Sequence, residues 1–158
     1  AGNVPLRVTH NDTKIDNVLL DEKTGRGVCV IDLDTVMPGL SAWDFGDAVR
    51  SGASTAAEDE TDLSRVAFSL PMFSAYVGGY LRGLGGELTR REVELLPLGA
   101  KLMTLECGMR FLADHLNGDR YFHIHREGHN LDRARTQLRL VECMEENWDA
   151  MMDIVRNA

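Results

Sequence analysis

The spacing of apolar residues changes character near residue 40. Before it they come in short β-branched and aliphatic runs: Val18-Leu19-Leu20 and Val28-Cys29-Val30-Ile31 flank a turn-rich Glu22-Lys23-Thr24-Gly25-Arg26-Gly27. Two such runs around a Gly-containing turn predict a β-hairpin with a loop longer than two residues. Beyond residue 40 a period of three and four takes over. Ser41 is placed to cap a short helix carrying Trp43, Phe45 and Val49 toward Gly52, and the small, acidic stretch 52–62 predicts a surface loop. Ser69 before Leu70-Pro71 predicts an N-cap with Pro in the first turn, followed by Phe73, Tyr76, Val77, Tyr80 and Leu81 on one face before Gly83. Thr89 three residues before Glu92 predicts a capping box, and the apolar pattern, interrupted at Pro97, then runs through Leu102, Leu105, Met109 and Leu112 to Gly118. Asn130 is the expected cap of a last helix with Leu131, Ala134, Leu138, Val141, Trp148, Met152 and Val155 on one stripe. The fold class is α+β and mostly α: one small hairpin in front of a helical bundle.

Composition narrows what such a fold can do. The 158 residues suit one domain, and 44% hydrophobic with 27% charged residues and 4 Pro exclude a disordered chain. Lys and Arg total 17 against 25 Asp and Glu, a net charge of −8, which excludes a global field for polyanions and points to no nucleic-acid partner. Phosphate would have to be met locally, with a metal. Cys29, Cys107 and Cys143 are odd in number and form no CxxC pair, which argues against both a disulfide framework and a thiolate zinc site. With no run of 18 apolar residues and no signal-like features in Ala1-Gly2-Asn3-Val4-Pro5, the reading is no membrane span and a cytoplasmic location.

The chemistry concentrates in Thr9-His10-Asn11-Asp12-Thr13-Lys14-Ile15-Asp16-Asn17 and in Ile31-Asp32-Leu33-Asp34 at the end of the hairpin. Phosphoryl transfer needs a carboxylate to orient and deprotonate the attacking hydroxyl and oxygen ligands to hold Mg²⁺. Asp12 and Asn17 are five apart, as in H-R-D-x-x-x-x-N, where the Asp is the base and the Asn a metal ligand. Asp32, twenty positions after Asp12, is delivered by an apolar strand as a second metal ligand, and the hairpin folds the chain back to bring it near. The bland alternative is an Asx-rich turn entering a strand and a strand-end Asp starting a turn; the joint spacing disfavours it. Asp44-Phe45-Gly46 spells the protein-kinase metal motif, but it lies 32 positions after Asp12 and opens a predicted helix, so the metal is assigned to Asp32.

With His10-Asn11-Asp12 for His-Arg-Asp and Ile31-Asp32-Leu33-Asp34 for Asp-Phe-Gly, the chain resembles the aminoglycoside phosphotransferase and choline kinase group of protein-kinase-like small-molecule kinases. More narrowly it resembles the N-acetylhexosamine 1-kinases, some of which carry mucin-desulfatase-type names. The stretches that carry this likeness are Thr9 to Leu20, Cys29 to Gly39, Trp43 to Asp47 and Glu106 to Phe122. The resemblance covers nearly all of the chain but only the C-terminal lobe of such a kinase. It implies residues 1–158 of a C-terminal lobe whose N-terminal nucleotide lobe is absent from this chain, an expectation supported by the nine residues before His10 and by the lack of a phosphate-covering loop and strand Lys ahead of Asp16.

The resemblance further implies Mg²⁺ as cofactor, ATP as co-substrate and a sugar as acceptor, phosphorylated at the anomeric hydroxyl of an N-acetylhexosamine. Arg110, Tyr121, Asp34 and Trp148 are the implied sugar contacts, and Leu19 and Ile31 the floor of the adenine pocket; Asp44 is structural. Read without the family, Arg110 is a salt-bridged side chain on an apolar helix, Trp148, Leu19 and Ile31 are core, and Asp34 is a turn residue. Choline, homoserine or aminoglycoside kinases, and a non-catalytic sugar- or nucleotide-binding module, remain as alternatives. His123, His125 and His129 read as solvated histidines in a polar loop, Glu58-Asp59-Glu60 as a solvated acidic patch, and Met103, Met109, Met144, Met151 and Met152 as helix packing.

Overall fold

The computed structural model describes residues 4–158, so Ala1, Gly2 and Asn3 of the opening segment lie outside the described residues. Strands β1 (Arg7–Thr9) and β4 (Met37–Gly39) pair antiparallel, Arg7 against Gly39 and Thr9 against Met37. Between them in sequence, β2 (Val18–Leu20) and β3 (Gly27–Val30) form the hairpin that the apolar runs predict, with Val18 opposite Val30. Its turn is built locally. Asp21 Oδ1 accepts from the backbone N–H groups of Lys23 and Thr24 and from the Thr24 hydroxyl, and Gly25 takes φ 65°, a left-handed geometry that glycine adopts without penalty. The β1–β4 pair carries no comparable signal: β1 has three residues with one central valine, itself exposed, and Pro38 belongs to edge strands.

Six helices follow: α1 (Ser41–Gly52), α2 (Leu70–Gly83), α3 (Arg90–Glu94), α4 (Leu96–Leu116), α5 (His129–Glu146) and α6 (Trp148–Arg156). The fold is thus α+β and mostly α, as the pattern predicts. Ser69 caps α2 by accepting from Met72 N with Pro71 in the first turn, and Thr89 and Glu92 form the capping box of α3. Two expected caps differ. Ser41 is the first residue of α1, and its hydroxyl donates to Glu92 Oε1 at 3.1 Å instead of capping. Gly128, at φ 72°, precedes α5, while Asn130 is buried and donates to Asp114 and Asp119. The predicted single last helix is broken at Asn147, whose side chain competes for the Cys143 carbonyl, 2.8 Å away, and so turns α6 away from α5. No helix among the described residues is long and apolar enough to cross a membrane.

Helix α4 runs through the middle, with α1 and α5 packed against it. The core joins Phe45 and Val49 of α1, Phe73 and Val77 of α2, Leu96 of α4 and Leu140 and Met144 of α5. Phe45 meets Phe73 edge-on at 5.8 Å between centroids, and each such buried side chain contributes about 1.5–3 kcal/mol. Helices α1 and α4 cross at two glycines: a Cβ at Gly46 would lie 2.3 Å from the Gly99 carbonyl oxygen, so neither residue has room for a side chain. Glu92, fully buried, ties β1 to this bundle by accepting from Arg7 Nε (2.9 Å) and Nη2 (2.8 Å).

Two outcomes follow from this packing. Gly46→Ala forces backbone against backbone and is expected to lower stability in urea denaturation by about 1–3 kcal/mol. The hydrogen bonds from Arg7, with those from Thr89 and Ser41, hold the Glu92 carboxyl down at about 2, against an ordinary 4.5. The unfolded chain therefore binds this proton first, so the pair stabilises fully above that ordinary value and its contribution drains away as the pH falls toward about 2. Acid titration of Glu92→Gln should lack this part of the transition.

Candidate active site

The segment from Thr9 to Asn17 is shaped by its hydrogen bonds to α1 and to the turn before β4. Asp44, in the first turn of α1, accepts from His10 N through Oδ2 and from Asn11 N through Oδ1, both at 2.8 Å. Two successive amides face one carboxylate because Asn11 sits at φ 65°, the left-handed region that Asn tolerates better than most residues. The Asn11 amide donates to the Thr35 carbonyl, the Thr35 hydroxyl donates to the His10 carbonyl, and the Thr13 hydroxyl donates to the Asp44 carbonyl. His10 completes the frame. Its Nδ1 accepts from Asp12 N, so Nε2 carries the proton and donates to the Ile31 carbonyl at 2.9 Å.

That last bond brings the end of the hairpin to the loop. Ile31 N also donates to the Asn17 carbonyl at 3.0 Å, so the residue before Asp32 is fastened to both His10 and Asn17. Asn17 is buried, and its Nδ2 donates to Asp12 Oδ2 at 2.9 Å. Its amide oxygen therefore points away from Asp12, and no donor among the described residues engages it. Asp32 is exposed and sits at φ 64°, a strained position for a non-glycine residue of the sort that recurs at functional sites. The donor set of Asn17 Oδ1 and the Asp32 carboxylate is all hard oxygen, which suits Mg²⁺, a cation usually held by one or two protein oxygens and its remaining ligands from phosphate and water. No group of three or more His, Cys, Asp or Glu forms a closed cage among the described residues.

Asp12 opens onto a cleft of about 730 Å³ between the loop, α1, α4 and α5. Arg110 and Tyr121 line the same cleft. The Arg110 guanidinium lies 5.4 Å from the Phe122 ring centre and 5.8 Å from that of Tyr121, and Glu106 pairs with it at 3.6 Å. The loop that carries Tyr121 is fixed by Asp114, whose carboxylate accepts from the backbone N–H of Phe122, Tyr121 and Arg120 and from Asn130. These bonds, that from Phe122 foremost, hold the Asp114 carboxyl below its ordinary range. Asp34 and Trp148 are not among the cleft residues: Asp34 is exposed in the turn before β4, and Trp148 opens α6 with the Lys101 ammonium 5.8 Å from its ring centre. Leu19 and Ile31 are partly exposed on the hairpin, at 49% and 37%, not core.

The sequence model of the APH phosphotransferase enzyme family matches residues 1–95, which span the framed loop, the hairpin and α1. The chain belongs to this family. Its fold is that of the C-terminal lobe of a protein-kinase-like enzyme, and the family makes it a kinase-type phosphotransferase that uses ATP on a small molecule.

Several residues of this phosphotransferase escape the sequence pattern. Lys14 places its ammonium 3.3 Å from Asp12 Oδ2, so Oδ2 is shared between Lys14 and Asn17 while Oδ1 stays free. Its signal was proximity, two residues from the motif Asp. Glu58 is exposed, as a patch residue should be, but it is also ion-paired, accepting from Arg50 at 2.9 Å in the cleft. Asp59 likewise pairs with His129, which is buried and not solvated, at 3.1 Å. Met109 is 60% exposed, whereas Met144 and Met151 are core. Cys107 lines the cleft, but burial pushes its thiol up to about 11, which leaves it an unreactive neutral group. Asp44→Asn replaces one acceptor with an NH₂ facing a backbone N–H; in a protein containing both lobes kcat should fall about 100-fold from the displaced loop, with the Mg²⁺ dependence changing far less, as steady-state kinetics over a Mg²⁺ series would show.

Proposed function

We propose that this phosphotransferase moves the γ-phosphoryl group of ATP to a neutral sugar, most specifically to the anomeric hydroxyl of an N-acetylhexosamine. The observation that carries the reading is the free Oδ1 of Asp12 at the wall of a polar cleft that also holds Arg110 and Tyr121. In this reading Asp12 takes the proton of the attacking hydroxyl as the new O–P bond forms and the bond to the β-bridging oxygen breaks, releasing ADP. Asn17 and Asp32 would hold Mg²⁺, which when bound neutralises charge on the phosphates. Lys14, paired with Asp12 through Oδ2, helps to orient that carboxylate. Arg110 and Tyr121 offer planar donors and an aromatic face to the sugar ring; Asp34 and Trp148 belong to this proposal only as more distant contacts.

Charge supports a neutral acceptor over a cationic one. Four of the five acidic residues lining the cleft are already ion-paired: Asp12 with Lys14, Asp47 with Arg50, Glu58 with Arg50 and Arg133, and Glu106 with Arg110. A polycationic or choline-like acceptor needs converging free carboxylates or an aromatic cage. The uncovered apolar residues of the hairpin, Leu19, Val28, Val30 and Ile31 among them, suit a surface closed by nucleotide and by a second lobe. Because such closure excludes water from the reaction, the 158-residue chain alone is expected to transfer no phosphate.

In a protein containing both lobes, Asp12→Asn should lower kcat at least about 1,000-fold, the loss of a general base and positioning group together. Asn17→Ala and Asp32→Ala should shift the Mg²⁺ titration to higher concentration. A full rate for Asp12→Asn, or faster turnover of choline or an aminoglycoside than of N-acetylglucosamine in the same assay, would sink the assignment.

A further inference from the structure

Four buried side-chain polar atoms among the described residues have no hydrogen-bond partner: Asp47 Oδ2, His115 Nδ1, Arg133 Nε and Gln137 Oε1. Three of the four belong to residues lining the cleft beside Asp12. Each such orphan forfeits its hydration without a replacement hydrogen bond, and folded proteins keep few of them without a reason. Their grouping along one cleft is the reason to look for a ligand.

The geometry explains why each is left over. Arg50 Nε and Nη2 both approach Asp47 Oδ1, at 3.0 Å each, so Oδ2 receives nothing. Arg50 Nη1 turns instead to Glu58 Oε1 at 2.9 Å, and the other Glu58 oxygen faces Arg133 Nε at 3.7 Å, an ion pair too long for a hydrogen bond. Gln137 lies one turn beyond Arg133 on α5 and is 3% exposed. Its Cβ packs at Gly108 of α4, where an added Cβ would come within 3.0 Å, and this anchors the side chain where no donor reaches Oε1. Asp47, Arg50, Glu58 and Arg133 form one linked row with Gln137 at its end, and the two acids and two arginines cancel.

We propose that this row is a recognition subsite for the neutral, hydroxyl- or amide-bearing part of the ligand, with Asp47 Oδ2 and Gln137 Oε1 accepting and Arg133 Nε donating. A set with two free acceptors and a free donor selects groups that both give and take hydrogen bonds. Hydroxyls and amides do; ammonium only donates, and carboxylate or phosphate only accepts. The orphan atoms lie under the cleft surface, so they engage through rotation of the terminal carboxylate or amide or through a bridging water. That the ligand is the phosphoryl acceptor rests on the proposed function; the subsite itself does not.

The test uses a protein containing both lobes, with N-acetylglucosamine and N-acetylgalactosamine as probes, in steady-state kinetics and in calorimetric binding without ATP. Gln137→Met keeps length and removes both polar atoms; Asp47→Asn keeps shape and removes the charge. Each should raise the sugar KM or Kd about tenfold, the loss of one hydrogen bond, while kcat and the KM for ATP stay within about twofold. Asp47→Asn disturbs Arg50 and can fail to fold, so Gln137→Met, outside the ion pairs, decides, with circular-dichroism melts to confirm its fold. If the sugar is phosphorylated and the folded Gln137→Met leaves its KM unmoved, the subsite is overturned and the phosphotransferase reading stands. If no acceptor is phosphorylated but the sugar binds and Gln137→Met weakens it, the subsite stands and the sugar-kinase reading falls. No binding of either sugar overturns the subsite.

Discussion

One carboxylate, that of Asp44, holds the backbone amides of His10 and Asn11 together, and the rest of the site inherits its geometry from that contact. Successive amides around a left-handed residue make a concavity that attracts anions; here the chain fills it with its own side chain. The direction in which the backbone leaves Asn11, and with it the position of Asp12, is therefore tied to the first turn of α1. Helix α1 is in turn fastened to α4 by the Gly46–Gly99 crossing, which makes the whole bundle a rigid base for the loop.

From this base the frame extends to the hairpin through a single imidazole. His10 accepts from Asp12 N and donates to the Ile31 carbonyl, so one side chain sets both the loop's exit and the hairpin's end. One imidazole thus links the neighbourhoods of Asp12 and Asp32, residues twenty positions apart in the sequence. This explains why the first position of the motif is a histidine: the role requires a planar side chain with one acceptor and one donor at opposite edges.

The cleft beyond Asp12 is polar yet nearly balanced, because its acids and bases come paired. Paired charges in a partly buried cleft give little net attraction to an ion, but they hold directional donors and acceptors in place. Asp114 contributes at a distance by gathering three backbone amides and so fixing the loop that presents Tyr121.

Read from sequence alone, the hairpin, the caps at Ser69 and Thr89 and the Asp12–Asn17 spacing were legible, because each depends on residues within a few positions of one another. The fold class follows from the same local periods. The β1–β4 pair and the displaced caps at Ser41 and Asn130 were not legible, since a distant partner, Glu92 for Ser41 and Asp114 for Asn130, outbids the local one. The pairing of Glu58 with Arg50, of Asp59 with His129, and the grouping of Asp47 with Gln137 belong to the same class. Sequence by itself nominated side chains for phosphoryl chemistry, through spacing along a loop; tertiary structure alone decided that Glu58 faces Arg133 and which polar atoms are left without partners. Those outcomes depend on how α1, α4 and α5 pack, and packing brings together residues that the chain keeps tens of positions apart.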